Sequence, residues 1–355
     1  MTVFGTDAFD DHELVTFGGD AESGLSAIIA IHNTSRGPAL GGCRMWPYPD
    51  ETSAITDVLR LSRGMTYKSA LAGLPYGGGK SVIIGDPRKH KTSALLDAMG
   101  RVVEALGGRY TIAEDVGIGV PDVARMAEST AHVAGVAAGD GNGDGDPSPA
   151  TAYGVYMGIR AAVKHRLGRE SLSGVRVAVQ GVGAVGEKLC HHLSAEGAEI
   201  VVSDIDADRA RRVAKRFDTR LMDSDTIVSA PVDVLAPCAL GGVVGDETVT
   251  QIQAGIVAGA ANNQLKEPRH GVAIHERGIL YAPDYVINAG GIIHISHEGD
   301  GYNRSRAFAH VARIGDTLLT IFDRADRQGL STATAADRLA EEHFTHPNPL
   351  WAYAA

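Results

Sequence analysis

Apolar positions along this chain follow two rhythms, and the change from one to the other marks most of the expected elements. Leu25–Asn33 (Leu-Ser-Ala-Ile-Ile-Ala-Ile-His-Asn) is a short apolar run rich in isoleucine and reads as a strand. From Thr52 to Met65 the apolar residues Ala54, Val58, Leu61 and Met65 recur at helical spacing. Ser81–Gly85 reads as a short strand after the glycine-rich stretch Gly77–Lys80, taken as a loop. Ser93–Leu106 is an amphipathic helix with Leu95, Leu96, Met99, Val102, Val103 and Leu106 on one face. The rhythm then stops. In residues 139–146 glycine alternates with Asp and Asn, a composition poor for helix and strand alike, so an exposed loop at a domain boundary is expected.

Beyond that loop, strand and helix patterns alternate. Ala150–Arg166 is helical, Val175–Gly181 is an apolar strand, Ala184–Glu196 a helix and Glu199–Asp204 a second strand. Further strands are expected at Val232–Leu235, Gly255–Ala260 and Ile279–Ala282. This order argues a parallel α/β sheet. Phe308, Val311, Ile314, Leu318 and Phe322 predict one long helix over Arg304–Gln328, and Ser331 can cap a last helix at Ala335–Phe344. Two domains follow: residues 1–138, and a nucleotide-binding domain at 147–330, with the 331–355 segment packing back onto the first.

Composition narrows the class. The 355 residues hold 33 Lys and Arg against 43 Asp and Glu, a net charge of −10, which argues against a nucleic-acid surface. No apolar run is long enough to span a membrane. The N-terminus lacks the basic and apolar regions of a signal peptide, and the 3 cysteines show no CxxC pattern, so a reducing cytoplasm is expected. His191 and His192 are adjacent and no HExxH occurs, so no metal site is expected. Asp140, Asn142, Asp144 and Gly145 imitate the start of an EF-hand loop, but Thr151 stands where its bidentate glutamate belongs.

The candidate chemistry lies in two places. Gly181-Val182-Gly183-Ala184-Val185-Gly186 follows an apolar strand and opens a helix, and the next strand ends in Asp204. Glycines there permit a tight turn and close approach to a pyrophosphate, whose charge the helix N-terminus favours. A carboxylate at Asp204 suits the ribose hydroxyls of NAD and repels the phosphate of NADP, although Arg209 nearby keeps NADP open. The second place is Met65-Thr-Tyr-Lys68 with Gly77-Gly-Gly-Lys80, followed by Glu114-Asp115. Lysines grouped apart from a nicotinamide-type loop suggest oxidation of a carboxylated, nitrogen-bearing substrate; solvated surface lysines are the plain alternative. A Walker A loop fails, because Leu74 stands where its first glycine belongs and a strand-like segment follows Ser81.

Taken together, Gly37–Gly42, Arg63–Lys68, Gly77–Lys80, Ala113–Gly117, Asp146–Gly154, Ala236–Gly242, Gly259–Gln264 and Tyr281–Gly291 make the chain resemble the Glu/Leu/Phe/Val superfamily of amino-acid dehydrogenases, most of all its leucine dehydrogenase branch. The resemblance runs from about Gly37 to Phe344. It implies a substrate and oligomerisation domain, a doubly wound Rossmann NAD-binding domain and a reaction in the cleft between them. It implies that Lys68 binds the substrate carboxylate, that Lys80 is the catalytic base and that Asp115 handles the amino group. The implied substrate pocket is Leu40, Gly41, Gly42, Met65, Ala113, Ala134, Ile292 and Ile295, with Asn262. The implied cofactor contacts are Ser148, Thr151, Gly181, Val182, Gly183, Ala184, Val185, Gly186, Asp204, Cys238, Ala239, Ala260, Asn262 and Asn288. The implied activity is reversible, NAD-dependent oxidative deamination of leucine, valine or isoleucine to the 2-oxo acid and ammonia, by a cytoplasmic homo-oligomer. Ile118, Gly119, Ala134 and His294 depart from the leucine-type pattern and are expected to reshape the pocket edge. An aromatic L-amino acid substrate therefore stays open, as does a non-catalytic NAD-binding protein.

Overall fold

A computed structural model describes residues 3–136, 146–239, 241–299 and 301–345. The chain forms two compact units. The first comprises residues 1–145, 295–302 and 340–355; the second comprises residues 146–294 and 303–339. The 139–145 loop and the EF-hand-like residues within it lie outside the described residues. No helix among the described residues is long and apolar enough to cross a membrane.

In the first unit the order is β1 (Leu14–Asp20), β2 (Leu25–Asn33), β3 (Ala39–Trp46), α1 (Glu51–Leu71), β4 (Gly77–Ile84), α2 (Pro87–His90), α3 (Ser93–Glu104), β5 (Tyr110–Ala113) and α4 (Val120–Met126). The sheet order is β1-β2-β4-β3-β5, antiparallel across β1, β2 and β4 and parallel across β4, β3 and β5. Both faces of β2 are covered. Ala27, Ile29 and Ile31 join the core with Leu95, Met99 and Val103 of α3, while Ile28 and Ala30 pack with Val58 and Leu59 of α1. That explains why β2 reads as a continuous apolar run and not as an alternation.

The glycine-rich stretch before Lys80 is not a loop. Gly77, Gly78, Gly79 and Lys80 all belong to β4, and none of these glycines has a positive φ. What they supply is missing volume. A Cβ on Gly77 would lie 2.0 Å from the Asn33 carbonyl oxygen, one on Gly78 2.0 Å from the Thr66 nitrogen, and one on Gly79 2.7 Å from the Tyr110 ring. Strands β1, β3 and β5 were not foreseen, because their glycines and brevity hide the alternation. Helix α1 also runs six residues past its expected end at Met65, to Leu71.

In the second unit the order is α5 (Ser148–Leu167), β6 (Arg176–Gln180), α6 (Ala184–Ala195), β7 (Glu199–Ser203), α7 (Ala207–Phe217), β8 (Arg220–Leu221), β9 (Val234–Pro237), α8 (Thr248–Gln251), β10 (Ile256–Val257), α9 (Arg269–Glu276), β11 (Leu280–Tyr281) and α10 (Asp284–Ile287). It continues through α11 (Gly290–Ser296), α12 (Arg304–Ala312), α13 (Ile314–Gln328) and α14 (Thr332–Thr345). The sheet is wholly parallel, in the order β11-β10-β9-β6-β7-β8. This is the doubly wound order, with its switch point between β6 and β9. The single long helix expected over 304–328 is two, because the Arg313 amide donates to the His310 carbonyl three residues back and tightens the ladder there. Ser331 caps α14 as its position suggests, its Oγ accepting from the Thr334 amide at 3.2 Å. The terminal segment does not pass whole to the first unit, as the sequence led one to expect. Thr332 donates to the Tyr281 carbonyl at 2.6 Å and Tyr285 to Asp337 at 2.6 Å within the second unit, while Tyr67 donates to Glu341 at 2.9 Å within the first.

A buried polar link ties β2 to α1. His32 Nδ1 lies 2.8 Å from Thr66 Oγ1, and the His32 ring meets the His12 ring edge-on at 4.9 Å. Burial, then the neighbouring His12 and Arg63, push the His32 imidazole from 6.5 down to about 4, against the opposing pull of Asp10. An unfolded chain therefore takes up this proton first as pH falls, and stability drops between pH 6.5 and about 4. The shift corresponds to about 3 kcal/mol. Thermal unfolding followed across that window is expected to show the drop, and His32→Asn, which keeps a partner for Thr66, is expected to flatten it. An equal slope in both proteins counts against the assignment.

Candidate functional site

In the first unit the two sheet faces sort the chemistry. Gly78, Lys80 and Val82 lie on the face of β4 that packs on α1, and α1 touches β4 where Thr66 meets Gly78. Lys68 and Lys80 each stand two residues beyond that contact. Lys68 is half-buried on α1; Lys80 is only 6% exposed. Lys80 Nζ lies 2.8 Å from Asp115 Oδ2. Asp115 is placed by the turn after β5, where its amide donates to the Ile118 carbonyl at 3.1 Å and its carbonyl accepts from the Ile118 amide at 2.9 Å. Gly117 holds a φ of +84°, which permits this turn to lie against the Met45 carbonyl.

Asp115 has a second cation that the sequence did not reveal. Arg44 Nε donates to Asp115 Oδ2 at 3.0 Å. Burial works against the Asp115 charge, but Lys80 and Arg44 outweigh it and hold the carboxyl below its ordinary range. Arg44 is missed in the sequence because its partner is distant in the chain and no short motif records the pair.

The remaining expected pocket residues fall into different situations. Leu40 and Ala113 are buried; Met65, Ala134 and Ile295 are half-buried. Gly41 and Gly42 leave no open space: a Cβ on Gly41 would sit 1.7 Å from the Gly79 carbonyl oxygen, and one on Gly42 2.4 Å from that of Glu114. Gly42 thus lets the Glu114-Asp115 turn lie across β3. Ile118, expected at a pocket edge, is 2% exposed and belongs to the core beneath that turn.

In the second unit the loop from Gly181 to Gly186 joins β6 to α6. Gly181 has φ +92° and its Cβ position falls 2.8 Å from the Ala239 nitrogen; a Cβ on Gly186 would meet the Gly181 carbonyl at 2.0 Å. Gly183 differs, since among the described residues nothing lies within 4 Å of its Cβ position. It precedes α6, along which Ala184, Val185 and Gly186 form the first turn, and no side chain caps that helix. Asp204 closes the loop, accepting from the Val182 amide at 2.9 Å through Oδ2 and from the Asp206 amide at 2.9 Å through Oδ1. Arg209 Nη1 stands 3.4 Å from both oxygens.

Around the C-terminal ends of β9 and β10, Cys238 and Ala239 follow β9. Asn288 donates to the Ala260 carbonyl at 3.1 Å and to Asn262 Oδ1 at 2.7 Å. Asn288 Oδ1 is buried with no hydrogen-bond partner among the described residues. Ser148 Oγ accepts from Lys188 at 2.7 Å, Thr151 donates to the Pro147 carbonyl at 2.9 Å, and Ile292 is half-buried on α11. The open space at Gly183, the uncapped helix start and the orphaned Asn288 oxygen fit a dinucleotide: two anionic phosphates at the loop and an amide donor for the asparagine. Among the described residues no group of three or more His, Cys, Asp or Glu side chains gathers to hold a metal ion.

Comparison with known proteins agrees with both halves. Residues 14–132 match the family described as Glu/Leu/Phe/Val dehydrogenase, dimerisation domain, and residues 141–208 and 202–340 match Glutamate/Leucine/Phenylalanine/Valine dehydrogenase. The leucine dehydrogenase of Geobacillus stearothermophilus is 53% identical over 94% of this chain and 91% of its own. The valine dehydrogenase of Streptomyces albus is 47% identical over 94% and 92%. The L-tryptophan dehydrogenase of Nostoc punctiforme is 46% identical over 98% and 97%, and its crystal structure superposes with a TM-score of 0.84 over 94% of this chain and 96% of that one.

Proposed function

The chain belongs to the Glu/Leu/Phe/Val dehydrogenase family of amino-acid dehydrogenases, and on that premise we propose that it deaminates a branched-chain aliphatic L-amino acid with NAD, reversibly, to the 2-oxo acid and ammonia. The observation that carries this reading is the buried Lys80 side-chain nitrogen 2.8 Å from Asp115. Lys68 supplies a cation for the substrate carboxylate. Asp115, held ionised by two cations, takes the proton from the substrate ammonium and frees the nitrogen lone pair. A dinucleotide held at the Gly181–Gly186 loop would supply the acceptor for the hydride that leaves the α-carbon. Lys80, as base, takes a proton from the water that adds to the resulting iminium carbon. Lys80 then gives that proton to the nitrogen, which leaves as ammonia while the hydroxyl returns its proton to Lys80 and the carbonyl forms; the proton on Asp115 passes to solvent. Each positioned proton carrier contributes about 10²–10⁴ in rate.

NAD is favoured over NADP by the Asp204 carboxylate, whose charge opposes a ribose phosphate; Arg209 offsets this in part. The expected pocket positions Leu40, Ala113 and Ile295 of the first unit are aliphatic and bring no cation for a side-chain carboxylate, so a glutamate side chain would be left unpaired. Likeness to the leucine and valine dehydrogenases supports branched aliphatic substrates. An aromatic substrate is the second reading, favoured by likeness to the L-tryptophan dehydrogenase over 98% of the chain. We assign the protein a homo-oligomeric state, supported by the match of residues 14–132 to a dimerisation domain, and a cytoplasmic location, supported by three free cysteines.

NADH formation across a panel of L-amino acids, with NAD and NADP in parallel, tests the reading. Leucine, valine or isoleucine is expected to give the highest kcat/KM, with NAD preferred. Higher kcat/KM with phenylalanine or tryptophan moves the assignment to the aromatic reading.

A further inference from the structure

Two cations meet Asp115 through one oxygen. Lys80 Nζ and Arg44 Nε lie 2.8 Å and 3.0 Å from the same Oδ2, and the Val116 amide also donates to the carboxylate. Arg44 also reaches the other way. Its Nη1 donates to Asp57 Oδ2 at 3.0 Å, and the Tyr48 hydroxyl donates to that same oxygen at 2.5 Å. The guanidinium on β3 thus bridges a carboxylate on α1 and the turn after β5.

We propose that Arg44, braced by Asp57 and Tyr48, is a positioning residue for amino-acid deamination, holding the Asp115 carboxylate through Oδ2, ionised and oriented for the substrate nitrogen. The inference rests on the reading of Asp115 as the group that handles that nitrogen. The physical reason is the constancy of the charge. Lys80 changes protonation during the proposed reaction. Were it the sole cation, a buried Asp115 would lose its counter-charge at the step where Lys80 is neutral, and would take up a proton when it has to accept one from substrate. A guanidinium keeps its proton at every working pH, and its fork of donors serves two carboxylates at once, which a lysine does not reproduce.

The other groups near Asp115 do not supply this. Cys43 on β3 is pushed by burial up to about 12, and burial raises Tyr110 on β5 well above its ordinary value, so both stay neutral. Tyr48 is likewise raised by burial and by its bond to Asp57. Asp57 on α1 is an anion and faces Arg44. The charges that hold Asp115 ionised are therefore those of Lys80 and Arg44.

The test is the pH dependence of kcat/KM for the best amino acid, measured for the parent, Arg44→Gln and Arg44→Lys. It is paired with an infrared pH titration of the protein without substrate, in which Asp115→Asn assigns the protonated-carboxyl band. Arg44→Gln is expected to move the acid limb and the Asp115 titration together toward higher pH, by about one unit or more. Below the limb this costs tenfold or more in kcat/KM, with most of the rate recovered at alkaline pH. Arg44→Lys, the variant safer for folding, moves both in the same direction by less, and decides the matter if Arg44→Gln does not fold. A loss equal at every pH, with the Asp115 titration unmoved, overturns the proposal and leaves Arg44 a structural brace. If the parent oxidises no amino acid, the proposed function fails, while the infrared titration still decides whether Arg44 sets the Asp115 charge.

Discussion

Lys80→Ala is expected to lower kcat by about 10²–10⁴, the usual worth of a positioned acid–base group. The fold is expected to survive, because Arg44 remains on Asp115 and the buried carboxylate is not left without a partner. Dinucleotide affinity, read by NADH fluorescence, is expected to change little, since Lys80 belongs to the first unit and the glycine loop to the second. Small primary amines added to the variant are expected to restore part of the rate, because the missing group is a base and not a scaffold. Near-normal turnover in folded Lys80→Ala removes the proposed mechanism.

Gly41→Ala is expected to have the largest effect on stability. Its Cβ would fall 1.7 Å from the Gly79 carbonyl oxygen and 2.7 Å from the carbonyl carbon. Both partners are main chain in neighbouring strands, so no side-chain rotation relieves the clash and β3 must part from β4. Overpacking costs about 1–3 kcal/mol even where side chains can adjust, and the upper end corresponds to a Tm loss of about 10 °C. Loss of soluble protein is the extreme form of the same result. Gly183→Ala is the contrasting case: with nothing among the described residues within 4 Å of its Cβ position, it is expected to keep Tm and weaken dinucleotide binding. A scanning fluorimetry trace with equal Tm for Gly41→Ala and the parent refutes the packing role assigned to Gly41.

These two glycines show how unevenly the molecule is written in its sequence. The loop from Gly181 to Gly186 is legible because its physics is local. A turn, a helix start and an acid at the next strand end lie within one strand–helix–strand unit, and Gly181 and Gly186 answer to neighbours in that unit or at its edge. Gly77, Gly78 and Gly79 look locally like a flexible loop. They are instead three consecutive strand positions whose missing side chains admit Asn33, Thr66 and Tyr110. Ile118 is similar: a motif comparison places it at the pocket edge, while packing places it in the core under the Asp115 turn.

The sequence by itself determined the periodicities that make α1, α3, α6 and β2. It also determined the alternation that makes a doubly wound sheet, the dinucleotide loop, and the lysines and aspartate that resemble a deaminating site. Those features depend on residues close in the chain or on motifs whose order survives in one dimension. Only the tertiary structure decided which partners share a charge. Arg44, Asp57, Lys80 and Asp115 are far apart in sequence, yet the crossing of β3, β4 and α1 brings them to one carboxylate oxygen and its brace. Coulombic interaction acts through space and falls off with separation there, not along the chain.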